Sequence, residues 1–143
     1  MRNPILPFAF LLILFRPCFA ATPARPPNIL FLVADEYRHD CLGVAGHPIV
    51  KTPNFDRLAR EGVRFTQAYV ASPVCSPSRA TMFTGRYPTA HGVLTNGMPF
   101  AEGQIVLPKY LHDRGYTTAI FGKSHLQFSD NTFDVAQITA GGE

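Results

Sequence analysis

The chain has 143 residues, 46% hydrophobic and 16% charged, enough for one globular domain with a real core and too few for a large enzyme. Of its 13 Lys and Arg, Arg2 and Arg16 lie in an amino-terminal segment that reads as removable, leaving 11 basic against 10 acidic groups. No basic patch remains to favour nucleic acid as a partner.

Residues 1–20 open with Arg2, run through the apolar Ile5 to Phe15 and end at Cys18-Phe19-Ala20. This is the pattern of a secretory signal peptide, with cleavage expected after Ala20. The apolar run is shorter than the roughly 20 residues a spanning helix needs, so no stable membrane anchor is expected. The reading is export to the periplasm, the extracellular space or the lysosome, depending on the organism. Export leaves Cys41 and Cys75 in an oxidising compartment, where a disulfide between them is one reading and a buried Cys41 thiol the other. Residues 21–27, with Pro23, Pro26 and Pro27, form an extended linker.

Residues 28–34 are continuously apolar and too few for a free-standing helix, which predicts a central parallel strand buried on both faces. Asp35 and Glu36 follow at its carboxyl end, where open α/β sheets build their sites. Adjacent carboxylates suit a hard cation such as Ca²⁺ or Mg²⁺ and equally suit a solvated loop. After a loop through Gly43 and Pro48, Thr52 is placed to cap a helix that stops at Gly62, with Phe55, Leu58 and Ala59 on its apolar side and Asp56, Arg57, Arg60 and Glu61 in solvent. Alternating apolar residues over 63–70 predict a second strand.

In Cys75-Ser76-Pro77-Ser78-Arg79 a potential nucleophile, a helix start and a fixed cation fall within five residues. Pro77 suits a first helical turn, Ser76 suits the cap before it, and Gly85 suits a left-handed terminator. The first-turn amides and the helix dipole would then favour an oxyanion beside Cys75. The bland alternative is a buried small cysteine. Residues 86–100, with Pro88, Gly92, Gly97 and Pro99, read as an irregular cleft wall in which His91 is structural. A helix is expected over 105–114, with His112 exposed, and a strand over 116–121. Lys123 and His125 follow that strand and can both donate to an oxyanion, although such a pair also fits a surface turn. Residues 129–143 are polar and rich in small residues and read as an irregular tail or a truncation.

Ser72-Pro73-Val74-Cys75-Ser76-Pro77-Ser78-Arg79, followed by Thr84-Gly85-Arg86-Tyr87-Pro88 and His91-Gly92, resembles the first signature of the sulfatase family, whose Cys-x-Pro-x-Arg cysteine becomes formylglycine. Gly115-Tyr116-Thr117-Thr118 leading to Gly122-Lys123-Ser124-His125 resembles the second, with Ser124 where an aromatic residue is common. The resemblance implies an α/β fold of the sulfatase and alkaline-phosphatase type, with a mostly parallel central sheet flanked by helices, residues 28–128 being the amino-terminal part of the catalytic domain. It implies a sulfuric ester hydrolase that uses formylglycine at Cys75 and a divalent metal, Ca²⁺ or Mg²⁺, held by Asp35, Glu36 and the modified Cys75. Glu36 stands where Asp is common, so Asp35 is the safer ligand.

In the mechanism so implied, one hydroxyl of the hydrated aldehyde attacks sulfur and the second eliminates sulfate. Arg79 holds the diol, Lys123 bridges it and the sulfate, and His125 assists elimination. The implied partners are a sulfate ester and a formylglycine-generating enzyme. Relatives draw further metal ligands and another Lys and His from well downstream, so the fold is expected to be incomplete at its carboxyl end and this stretch inactive alone. A non-catalytic remnant that binds an anion or a partner, and a related phosphomonoester or phosphonate hydrolase, stay open as alternatives.

Overall fold

The computed structural model describes residues 25–139; the expected signal peptide, most of the linker and the last four residues lie outside them. The chain divides into two units, one ending at Leu58 and one beginning at Ala59.

In the first unit, residues 28–34 belong to no helix or strand, and Ile29, Leu30, Phe31, Leu32 and Val33 are all exposed. The expected buried central strand is therefore not formed among the described residues. A strand is stabilised by its ladder and by surfaces on both faces, neither of which an apolar run supplies for itself. Further on, a 3-10 turn at Gly43–Ala45 closes on Gly46 in the left-handed region. The Thr52 hydroxyl accepts from Gly43 N–H at 2.8 Å and donates to Asp56 at 2.9 Å, and Asp56 accepts from Val44 N–H at 2.8 Å. Helix α1 (Pro53–Glu61) thus starts where expected, but Thr52 and Asp56 bind the preceding turn, while Phe55 and Leu58 stand exposed. Polar satisfaction of the turn, not apolar burial, orients this end of the helix.

In the second unit, residues 63–70 form no strand and Val63, Phe65, Tyr69 and Val70 are exposed, which corrects the expectation for the same physical reason. Helices α2 (Cys75–Thr84), α3 (Pro88–His91) and α4 (Leu107–His112) follow, then strands β1 (Ala119–Gly122) and β2 (Val135–Ile138). Residues 86–100 are thus partly helical: Pro88 supplies a first-turn residue without N–H, and Gly92 at φ 83° ends α3. In α4, Pro108 is buried while Leu107 and Tyr110 are exposed.

Strands β1 and β2 are parallel, with Ala119 opposite Val135 and Gly122 opposite Ile138. The second strand falls in the expected irregular tail. Asp134 anchors it: its carboxylate accepts from Thr118 N–H at 2.7 Å, while its own N–H donates to Thr118 O at 2.9 Å. The Thr118 amide is the first cause holding the Asp134 carboxyl below the usual range. The core consists of Ala80, Val93 and Val106, flanked by an aromatic cluster in which Phe128 meets Phe83 at 5.2 Å, Phe133 at 5.1 Å and Phe100 at 6.0 Å. The Phe83 and Phe133 contacts are edge-to-face, a geometry that contributes beyond buried area, and they join α2 to the segment that leaves β1.

Candidate active site

Val74 is extended and α2 begins at Cys75, so the cysteine is the first helical residue. Thr81 and Thr84 donate their hydroxyls back to Pro77 O and Ala80 O, and Gly85, at φ 67°, ends the helix with its N–H on Thr81 O. Ser76 does not cap α2. It is 1% exposed, its Oγ donates to His125 O at 2.7 Å, and its N–H donates to Asn96 Oδ1 at 3.0 Å. Pro77 has no N–H and Ser78 N–H is used within the helix on Val74 O. The amides at 76 to 78 therefore do not face an oxyanion, contrary to the expectation from the helix start alone.

Positive charge comes instead from side chains. Lys123 Nζ donates to Cys75 Sγ at 3.8 Å, and the buried Arg79 donates from Nη1 to Lys123 O at 2.8 Å. Ser76 and Arg79, three residues apart, lie on one face of α2. They grip the backbone on either side of Ser124, which is itself buried. His125 adopts φ 55°, the left-handed region that a side chain rarely enters, and its Nδ1 is buried without a hydrogen-bond partner among the described residues. The fold thus brings the Lys123 side chain to Cys75, Arg79 to the Lys123 carbonyl and the His125 carbonyl to Ser76, next to Cys75. Both Cys75 and Cys41 are free thiols, so the disulfide reading is not realised.

Asp35 and Glu36 are exposed residues of the first unit, Glu36 with φ 53°. Among the described residues no group of three His, Cys, Asp or Glu side chains is placed to hold a metal ion. Two carboxylates fall short of the six to eight oxygens typical of Ca²⁺, so the described residues do not make a complete cation site.

His91 is fully buried. Its Nδ1 accepts from Val93 N–H at 3.1 Å, so the neutral ring carries its proton on Nε2, 3.1 Å from Thr81 Oγ1. Burial holds its pKa below the ordinary histidine value of 6.5. This is the structural role expected for it. His112 lies between Asp113 and Asp134, at 3.4 Å from each. Asn96 and the true role of Ser76 were missed by sequence reasoning. Asn96-Gly97 signals only a turn, and nothing local to Asn96 points to an amide 20 residues earlier.

Residues 27–138 match the Sulfatase family model. The chain belongs to the sulfatase family. It is 42% identical over 126 residues to a steryl-sulfatase of Mus musculus, covering 79% of this chain and 20% of that protein. It superposes with a TM-score of 0.74 and 36% identity on a protein solved in complex with its substrate D-glucosamine-2-N,6-O-disulfate, over 80% of this chain and 23% of that one. A phosphonate monoester hydrolase of Agrobacterium radiobacter is similar too, with TM-score 0.67 and 33% identity over 75% of this chain and 25% of that one. These neighbours place the chain in the α/β sulfatase fold of the alkaline-phosphatase type. The chain spans about a fifth of the length of the curated relatives it matches.

Proposed function

We propose that the protein acts as an arylsulfatase-like sulfuric ester hydrolase whose reacting residue is Cys75, converted to formylglycine, with Arg79, Lys123 and His125 beside it. The observation that carries this reading is the Lys123 ammonium 3.8 Å from Cys75 Sγ, on a backbone that Arg79 holds at 2.8 Å. A sulfate monoester repels an incoming nucleophile through its anionic oxygens, so the site must neutralise charge where the nucleophile stands. Lys123 is placed to donate both to the group at position 75 and to a sulfate oxygen. Arg79 fixes Lys123 and adds positive potential. His125 holds or moves a proton near the same group. Formylglycine would supply at position 75 an oxygen nucleophile that a thiol does not, and a formylglycine-generating enzyme is the partner that installs it. Asp35 and Glu36 would each offer a carboxylate, and the modified Cys75 an oxygen, to a Ca²⁺ or Mg²⁺ ion. Export through residues 1–20 would bring the protein to the periplasm, the extracellular space or the lysosome, with residues 28–128 as part of the catalytic domain.

The residues present supply charge and a nucleophile but an incomplete cation site, so residues 21–143 alone are expected to turn over no sulfate ester. The similarity to a phosphonate monoester hydrolase favours a second reading, hydrolysis of phosphonate or phosphate monoesters. A remnant that binds an anion or a partner without catalysis is the third. Coexpression of the full-length protein with a formylglycine-generating enzyme tests all three. The peptide around position 75 should carry an aldehyde by mass spectrometry, and an aryl sulfate should be hydrolysed faster than an aryl phosphonate. Cys75→Ala should abolish turnover. Faster phosphonate cleavage supports the second reading, and an aldehyde-bearing protein inert to every ester supports the third.

A further inference from the structure

We infer that Ser76, backed by Asn96, is a positioning residue that sets where Lys123 and His125 stand relative to residue 75; this rests on the hydrolase reading above. Ser76 is held from two sides. Its N–H is fixed by Asn96 Oδ1 at 3.0 Å, and its buried hydroxyl donates to His125 O at 2.7 Å. One helical turn on, Arg79 holds Lys123 O at 2.8 Å. Two carbonyls two residues apart are thereby pinned to one face of α2, and the backbone between and beyond them has little freedom to move. His125 shows the consequence. Its φ of 55° is unfavourable for a residue with a side chain, and such a conformation persists where the surroundings over-determine it.

The Ser76 hydroxyl is the contact that holds the His125 carbonyl. Without it His125 can relax towards negative φ, which swings its ring and shifts the Lys123 side chain lying 3.8 Å from Cys75 Sγ. Asn96 acts one step further back. It stands in an exposed loop, so its value lies in orienting the Ser76 backbone, and through it the first turn of α2, rather than in packing. Small misplacements of reacting groups carry large rate penalties, up to about a hundredfold for an ångström. Neither Ser76 nor Asn96 needs to touch a substrate to act in this way.

The test uses the full-length protein coexpressed with a formylglycine-generating enzyme, with kcat expressed per aldehyde so that loss of conversion is separated from loss of rate. Ser76→Ala and Asn96→Ala should each lower kcat on an aryl sulfate by on the order of tenfold or more, with KM changed less than about twofold, and should shift the pH profile of kcat. Thr84→Ala removes another α2 hydroxyl, one that donates to Ala80 O and accepts from Arg86 N–H away from Cys75, and should lower Tm without lowering kcat. The double variant Ser76→Ala/Asn96→Ala should lose less than the product of the single losses, because both act through one residue. Should Ser76→Ala fail to fold or to acquire the aldehyde, Asn96→Ala decides alone. Wild-type kcat and pH profile in Asn96→Ala and in any folded, aldehyde-bearing Ser76→Ala, with Cys75→Ala inactive, would overturn the positioning role and leave the hydrolase reading intact. Unchanged turnover in Cys75→Ala, or none in the wild type, would overturn both.

Discussion

At the scale of single residues, His91 shows how a buried titratable group can serve structure. Its neutral form makes two bonds: Nδ1 accepts from Val93 N–H, which a proton on Nδ1 would spoil, and Nε2–H donates to Thr81 Oγ1, whose own proton goes to Pro77 O. The chain of contacts ends on the proline of the Cys75 turn. Burial lowers the folded-state pKa below 6.5, so the unfolded state binds the proton first. The stability His91 contributes is therefore fully present above pH 6.5 and declines as pH falls from there towards its lower folded value. Denaturant unfolding between pH 7.5 and pH 5 should show stability falling with acidification, and His91→Gln should flatten that slope. An unchanged slope in the variant would remove His91 as its source.

At the scale of elements, two left-handed glycines end successive helices and make unequal demands. Gly85 at φ 67° closes α2, and a Cβ there would meet nothing within 4 Å. Gly92 at φ 83° closes α3, and a Cβ there would lie 2.9 Å from Ala101 Cβ and 3.0 Å from Ala101 N. Gly85→Ala should cost only the conformational penalty, roughly 1–2 kcal/mol. Gly92→Ala adds overpacking against backbone and should cost about 1–3 kcal/mol more. Urea titration of the two variants checks the order, and equal losses would show that Ala101 moves aside freely. The end at Gly85 was legible beforehand, because Gly punctuates the chain by its own covalent structure, whereas α3 and its end at Gly92 lay in a stretch that reads as irregular. The strands were not equally legible. Residues 116–121 gave β1 nearly in place, yet β2 was missed in a stretch that looks irregular, since Asp134 and Thr118 define it through contacts 16 residues apart.

At the scale of the whole molecule, the metal is the clearest test of what this stretch holds. Asp35 and Glu36 offer carboxylates, and no third side chain of the right kind is grouped with any two such residues among those described. Residues 21–143 should bind Ca²⁺ no more tightly than about 10⁻³ M, the weak end of the range for protein sites. Calorimetry showing tight, stoichiometric binding would contradict that. The apolar runs at 28–34 and 63–70 face solvent for a related reason: both need neighbours on their faces that the described residues do not provide.

What sequence alone determined is local: the Cys75 turn, the helix that Pro77 permits and Gly85 stops, the strand before Lys123, and the family these motifs identify. Each depends on residue types within a few positions of one another, where covalent geometry and intrinsic preference act directly. Tertiary structure decided the rest. Ser76 looks like a cap until a carbonyl 49 residues away takes its hydroxyl, and the helix-start amides look ready for an anion until Asn96 claims one of them. A hydrogen-bonding group goes to whichever partner the folded chain brings within reach, and when that partner is distant in sequence, nothing in the local pattern announces it.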